Sequence, residues 1–193
     1  MSKRPSRSAT SPSLTSSTDN EITQLVEPAD AAHYMRLALA EAEKAVEAGE
    51  VPVGCVIVHR DKGVIATGHN RVNEEHNGTR HAELVAADST LLRDEYFRPQ
   101  CFAECDVFVT CEPCIMCADA LRKLSIRHVF FGCHNEKFGG CGSILNLHEG
   151  AYGVTSGVMQ DEAVQLFKRF YSRENERAPE PKRKRKEHSS AQK

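Results

Sequence analysis

Apolar residues along this chain alternate between helical and extended spacing. A loosely helical pattern predicts a first helix over residues 30–48, with Asp30 as its N-cap and Gly49 at its end. Two short apolar runs, at 53–59 and 64–68, flank a polar turn and predict a β-hairpin. The folded part of the chain is therefore expected to open with one helix and two antiparallel strands.

Helices and strands continue to alternate after this hairpin. The pattern predicts a polar loop over 69–80, a helix over 81–92, a strand over 106–110, a helix over 113–124, a strand over 127–131, a Gly-rich region with a short strand near its end over 132–157, and a helix over 161–172. Pro113 suits the first turn of its helix, where an N–H has no intrahelical partner. Such alternation predicts an α/β sandwich, in which helices pack on a mixed sheet.

Length and composition set the domain plan. A chain of 193 residues, 40% hydrophobic and 27% charged, suits one globular domain with tails. We expect residues 1–29, which are rich in Ser and Thr, to be disordered, 30–175 to form the folded domain, and 176–193 to form a basic tail. No apolar run approaches the roughly 18 residues of a membrane span. The N-terminus also lacks a secretory signal, so we expect neither membrane insertion nor secretion.

Positive charge is concentrated in the tail. The formal net charge is −2, yet residues 173–193 hold eight Lys or Arg against four Asp or Glu. An acidic body with a basic tail favours a polyanionic partner held by the tail. The residues expected to contact phosphates are Lys182, Arg183, Lys184, Arg185 and Lys186. The same run is also typical of a nuclear localisation signal or of a solvated tail.

Three residues near the middle of the chain have the pattern of a catalytic zinc site. His81, Cys114 and Cys117 supply three ligands; a structural zinc site uses four protein ligands, whereas a catalytic site keeps one corner for water. Glu83 lies two residues after the histidine. A His-x-Glu followed by Pro-Cys-x-x-Cys is the signature of zinc-dependent base deaminases. Cys111 is an alternative fourth ligand, although its position at a strand end favours a place in the core.

The spacing of these residues suits hydrolytic deamination. We expect Cys114 and Cys117 to share one face in the first turn of a helix, whose N-terminus favours thiolates. His81 is expected to begin a second helix that converges on the same ion. Zinc lowers the pKa of its bound water to about 7. In the predicted mechanism zinc-bound hydroxide attacks the amidine carbon, Glu83 carries protons to the ring nitrogen and the leaving amine, and ammonia departs.

Five motifs resemble one branch of the cytidine and deoxycytidylate deaminase family. They are Glu50–Cys55, Gly68–Asn70, Thr79–Glu83, Glu112–Cys117 and Asn135–Ser143. They are similar to those of the tRNA adenosine deaminases, and above all to those of the catalytic subunit of the eukaryotic heterodimeric enzymes that convert the wobble adenosine of tRNA to inosine. The resemblance extends over most of the expected folded domain.

This resemblance implies a fold, a cofactor and partners. The implied fold is a cytidine-deaminase-like three-layer sandwich with a five-stranded mixed sheet flanked by helices, and the implied cofactor is Zn2+. Asn70 is implied to contact the target nucleotide. The implied partners are the tRNA anticodon loop and a related, catalytically silent deaminase-like subunit in a heterodimer. We accordingly expect the protein in the nucleus and the cytoplasm.

Two other classes of function compete with this one. A deaminase of free nucleotides or bases, or of cytosine in single-stranded nucleic acid, would use the same zinc site. A deaminase-like subunit that only binds RNA would need no proton-transferring carboxylate, so Glu83 counts against it. Assays with free adenosine, cytidine and guanine beside tRNA separate the enzymatic alternatives.

Overall fold

The computed structural model describes residues 28–93 and 99–173. Several sequence predictions lie outside these residues. They include the basic tail, with Lys182, Arg183, Lys184, Arg185 and Lys186, and nearly all of the N-terminal segment expected to be disordered.

The described residues form helices and strands in the predicted alternation. They are α1 (Pro28–Glu47), β1 (Gly54–His59), β2 (Gly63–His69), α2 (Ala82–Arg93), a 3-10 helix (Pro99–Glu104), β3 (Cys105–Cys111), α3 (Ile115–Lys123), β4 (His128–Cys133), β5 (Gly153–Thr155) and α4 (Gln160–Tyr171). The strand order is β2-β1-β3-β4-β5. Strand β1 is antiparallel to β2 and β3, whereas β3, β4 and β5 are parallel. The five-stranded mixed sheet is therefore confirmed.

Helices cover both faces of the sheet and create two apolar clusters. Ile57 of β1 packs in the cluster that contains Ala86 of α2 and Leu121 of α3. Its neighbour Val56 packs in the other cluster, which contains Met35 of α1. Every residue of β1 is buried, as expected for a strand enclosed on both faces. The result is the three-layer α/β sandwich that the resemblance implied.

Two predicted helix starts are wrong by two residues. Helix α1 begins at Pro28, so Asp30 lies in its first turn and is not its N-cap. Helix α3 begins at Ile115 and not at the predicted Pro113. Cys114 keeps an extended backbone, with φ −66° and ψ 167°, because it pairs with Gly139 in an antiparallel bridge.

The 3-10 helix before β3 was not predicted. It buries Phe102 completely in the larger apolar cluster, so tertiary packing stabilises a segment that has no clear periodicity. Among the helices of the described residues, none has the length and apolar character needed to cross a membrane.

Candidate active site

Three strand ends meet at one end of the sheet. The carboxyl ends of β2 and β3 and the amino end of β1 lie together, because β1 is antiparallel to both neighbours. Gly68 of β2 lies directly against the start of α2, since a Cβ there would be 2.7 Å from the Ala82 oxygen and from the Ala86 nitrogen. This close approach places the N-terminus of α2 over the strand ends.

Asn70 closes the N-terminus of α2. Its Oδ1 accepts a hydrogen bond of 2.9 Å from the backbone N–H of Ala82, which has no partner within the helix. The residue is buried immediately after β2. With Oδ1 engaged, the amide nitrogen is the part of this side chain that remains to donate a hydrogen bond to a ligand.

His81 and Glu83 lie together at this helix start. The His81 carbonyl accepts the first helical hydrogen bond, of 2.9 Å, from the Val85 N–H. Glu83 lies in the first turn and is only 3% exposed. Its carboxylate shares a hydrogen bond with the Cys117 thiol. The side chains of His81 and Glu83 therefore both contact Cys117.

Cys114 and Cys117 come from the start of α3. Cys114 occupies the N-cap and Cys117 is fully buried in the first turn. Each sulfur lies 3.5 Å from Nδ1 of His81. All three donor atoms are within 4.8 Å of one another. The structure thus brings together the three ligands predicted from the sequence.

These separations fit a tetrahedral zinc ion. Zinc–sulfur bonds of about 2.3 Å and zinc–nitrogen bonds of about 2.0–2.1 Å, at a tetrahedral angle, place sulfur and nitrogen roughly 3.5–3.6 Å apart. The observed 3.5 Å from His81 Nδ1 to each sulfur agrees with this edge length. One imidazole and two sulfurs also leave the fourth corner available to water.

Cys114, Cys117 and His81 shift one another's pKa values. The hydrogen bond from Cys117, assisted by that from His81, outweighs burial and lowers the pKa of Cys114 to about 4. The hydrogen bond to Cys114, together with burial, raises the pKa of Cys117. The hydrogen bond with Cys114 also raises the pKa of His81. A metal ion that binds here displaces these shared protons.

Glu83 has the properties of a proton carrier. Burial is the main cause that raises the pKa of its carboxyl to about 6, and the negative charge of Cys114 adds to the rise. A carboxyl group that titrates near neutral pH both accepts and donates protons under physiological conditions.

Cys111 does not join the three candidate ligands. Its thiol shares a hydrogen bond with that of Cys133, its partner in the register of β3 and β4. Both line a cavity of about 480 Å³ that also contacts Phe167 of α4. Cys111 is half-buried against this cavity. The metal-ligating group that contains His81 has only three members among the described residues.

Two buried carboxylates beside the site had no predicted role. Glu50 and Glu112 each accept several hydrogen bonds from a loop next to the candidate ligands. Glu50 begins the motif Glu50–Cys55, and Glu112 begins the motif Glu112–Cys117. In each motif the glutamate is the one charged residue in a short apolar stretch, and this pattern could have indicated a buried carboxylate.

The chain is similar to several known proteins. Residues 28–133 match the family model described as the cytidine and deoxycytidylate deaminase zinc-binding region. This range includes all three candidate ligands and Glu83.

Two similar relatives are named tRNA-specific adenosine deaminase 2. The one from Danio rerio is 43% identical over 176 residues, which cover 85% of this chain and 82% of the relative. The one from Xenopus tropicalis is 43% identical over 165 residues, which cover 80% of this chain and 96% of the relative. A solved structure from a study of A-to-I editing by tRNA:A34 deaminases at the wobble position of transfer RNA is 34% identical, with a TM-score of 0.62, and the match covers 69% of this chain and 98% of that one.

Proposed function

The chain belongs to the cytidine and deoxycytidylate deaminase family, and we propose that it is the zinc-dependent enzyme that hydrolyses the wobble adenosine of tRNA to inosine. The observation that carries this proposal is the likeness to relatives named tRNA-specific adenosine deaminase 2, which extends over at least 80% of both chains. The convergence of His81, Cys114 and Cys117 beside Glu83 supplies the matching chemistry.

We assign zinc binding to His81, Cys114 and Cys117. When bound, zinc supplies a water of lowered pKa at its open corner. Glu83 takes a proton from the attacking water and passes it to the purine ring nitrogen. In this addition the water oxygen bonds to the amidine carbon, and the ring C=N bond becomes single. Glu83 then takes the second proton from the hydroxyl so formed and delivers it to the amine. The exocyclic C–N bond breaks as the C=O bond forms, and inosine and ammonia are the products.

Recognition of the nucleotide is assigned to Asn70 and the basic tail. The free amide nitrogen of Asn70 is a donor for a group of the target nucleotide, since its Oδ1 is engaged by Ala82. An anticodon loop presents its bases partly unstacked, which lowers the cost of base extrusion. The Lys/Arg run at 182–186 supplies charge for the phosphates.

We also propose that the partner is a related, catalytically silent deaminase-like subunit. Exposed apolar side chains support a docking surface beside the ligands. They are Ile115, Phe138, Ile144 and Leu145, which are 38%, 63%, 50% and 43% exposed. Backbone hydrogen bonds join them into one surface, from Ile115 to Phe138 and from Ile144 and Leu145 to Gly139. Such a patch is typical of a protein interface. Purification from the native cell tests this, since elution as a single chain or a homodimer would contradict it.

The nucleus and the cytoplasm are the proposed locations. The Lys/Arg run at 182–186 is typical of a nuclear localisation signal. A fluorescent fusion in which these five residues become Gln should lose its nuclear fraction. An unchanged distribution would contradict the nuclear part of the proposal.

A substrate panel tests the proposed reaction. The purified native protein should release ammonia from tRNA that carries a wobble adenosine, and should leave free adenosine, cytidine and guanine unchanged. Deamination of a free base or nucleoside, with no inosine in tRNA, would instead favour the alternative class of small-molecule deaminases.

A further inference from the structure

Two loops flank the three candidate ligands, and each surrounds a buried carboxylate. The Asn70 loop, residues 70–81, leads from β2 to His81. The rim loop, residues 134–147, follows β4. Glu50 is 1% exposed and Glu112 is 2% exposed. A buried carboxylate is costly unless hydrogen bonds compensate it, so the donors around each one are informative.

Glu50 binds the Asn70 loop. Its Oε1 accepts hydrogen bonds from the backbone N–H groups of Asn73, at 2.8 Å, and Glu74, at 2.9 Å. Its Oε2 accepts one of 2.8 Å from the side-chain amide of Asn73. These N–H groups belong to a loop, and the carboxylate replaces the partners that a sheet would give them. The loop so fixed begins with Asn70 and ends at His81.

Glu112 binds the rim loop in the same way. Its Oε1 accepts hydrogen bonds of 3.0 Å from the backbone N–H groups of Cys141 and Ser143. Its Oε2 accepts one of 2.9 Å from the N–H of Asn135 and another from the Ser143 hydroxyl. The loop wraps closely around the carboxylate, because a Cβ on Gly139 would lie 2.4 Å from Oε1.

The rim loop is joined to the first cysteine ligand. Gly139 forms a bridge with Cys114. The Phe138 carbonyl accepts a hydrogen bond of 2.9 Å from the N–H of Ile115, and the N–H of Gly140 donates one of 2.8 Å to the carbonyl of Pro113. A shift of this loop therefore shifts the backbone that carries Cys114.

We infer that Glu50 and Glu112 are positioning residues of the metal site. Glu50 fixes the loop that presents Asn70 and His81, and Glu112 fixes the loop that holds Cys114 in its extended conformation. A hydrogen bond to an ionised group changes an equilibrium by a factor of roughly ten to a hundred. Each carboxylate accepts at least three such bonds, so its replacement should loosen one loop selectively. The role in deamination rests on the proposed function, whereas the role in holding the loops does not.

The test compares Glu50→Gln and Glu112→Gln with controls in the full chain, purified with its zinc and any partner that co-elutes. Glutamine keeps the size of the side chain but turns an amide N–H₂ toward the loop donors. Glu47→Gln and Glu136→Gln are matched controls, since both residues are exposed. Glu47 lies three residues before Glu50, and Glu136 lies within the rim loop that Glu112 binds. The readouts are backbone hydrogen exchange, zinc release to a chelator and tRNA deamination.

The proposal predicts local effects. Exchange should accelerate about tenfold or more in the Asn70 loop alone for Glu50→Gln, and in the rim loop alone for Glu112→Gln. Both variants should release zinc faster than their controls, and kcat should fall with each. The milder Ser143→Ala, which removes one donor of the rim loop, should accelerate exchange only there and remains informative if Glu112→Gln fails to fold.

Two results would overturn the inference. One is exchange and zinc release equal to those of the controls. The other is hydrogen exchange that accelerates equally in both loops and in the rest of the domain, which would show that the carboxylates stabilise the whole fold and not one loop each. Neither hydrogen exchange nor zinc release requires tRNA. A wild-type protein that makes no inosine would therefore contradict the proposed function and leave the positioning role to be decided by exchange.

Discussion

At the scale of single residues, metal binding and proton transfer fall to different side chains. Glu83 is buried beside the candidate ligands, but it is not one of the three residues that could bind the metal ion. Glu83→Gln should therefore keep its zinc and lower kcat for tRNA deamination by about 10²- to 10⁴-fold, the usual contribution of a general acid–base group. Elemental analysis and single-turnover assays measure the two effects. Turnover at the wild-type rate would refute the role as proton carrier.

Substitution of a ligand should instead remove both the zinc and the activity. Cys114→Ala removes one of the sulfurs that lie 3.5 Å from His81 Nδ1, so the isolated protein should lose its zinc and, with it, its activity. Elemental analysis of the purified variant checks this. Cys101→Ala is the control, since Cys101 lies outside the cluster and should leave the zinc content unchanged. Full zinc occupancy in Cys114→Ala would show that the ligands are chosen wrongly.

The ligands could be predicted because their chemistry is local in sequence. The spacing of Cys114 and Cys117, and of His81 and Glu83, already limits what each pair can bind. The roles of Glu50 and Glu112 could not be predicted in this way. Most of their hydrogen-bond donors are backbone N–H groups of loops 23 to 31 residues away, and no spacing rule reveals which loop folds back on a carboxylate.

At the scale of elements, the order of helices and strands could be read from the apolar pattern, whereas some boundaries could not. The pattern and Pro113 favoured an early start for α3. The bridge between Cys114 and Gly139 overrides this local preference, because it pairs residues from distant parts of the chain. The strand order has a similar origin, since pairing partners such as β1 and β3 are set by tertiary packing.

The contact between β4 and β5 predicts a pH-dependent stability. His128 is buried at the start of β4, with Nε2 2.8 Å from the Thr155 hydroxyl. Burial, with a smaller contribution from Arg127, lowers its pKa from 6.5 to about 4. Between these values the unfolded chain binds a proton that the folded protein does not. The stabilisation present above pH 6.5 is therefore lost as the pH falls to 4, by up to about 3 kcal/mol.

His128→Gln should remove this part of the pH dependence. Urea unfolding at a series of pH values measures the free energy of unfolding, which should fall less steeply with acid in the variant than in the wild type. His33→Gln, on the exposed face of α1, should keep the wild-type profile. An identical profile for His128→Gln would contradict the buried neutral imidazole.

At the scale of the whole molecule, the charge is divided between an acidic body and a basic tail. Deletion of residues 179–193 should weaken tRNA binding and reduce the slope of log affinity against log salt by about 0.7–0.9 for each phosphate that the tail neutralises. Titrations at several salt concentrations measure this slope. A full-length variant with Gln at 182–186 separates the effect of charge from that of length. An unchanged slope would assign the tail another role.

The α/β class could be predicted at this scale from periodicity, whereas the domain plan stays a prediction, because most of both expected tails lies outside the described residues. The substrate and the partner could not, because a zinc-activated water deaminates free bases and polymeric nucleic acids by the same chemistry. Those two expectations came from motif resemblance, and the likeness to tRNA-specific adenosine deaminases supports the choice of substrate.

One isotope measurement tests the central claim most directly. The zinc-loaded native protein is incubated with a tRNA that carries a wobble adenosine, in water labelled with oxygen-18, and the nucleosides are analysed by mass spectrometry. Inosine at the wobble position with one labelled oxygen, and an equal amount of ammonia, is the predicted result. Unchanged tRNA, or inosine without the label, would contradict hydrolytic deamination by this protein.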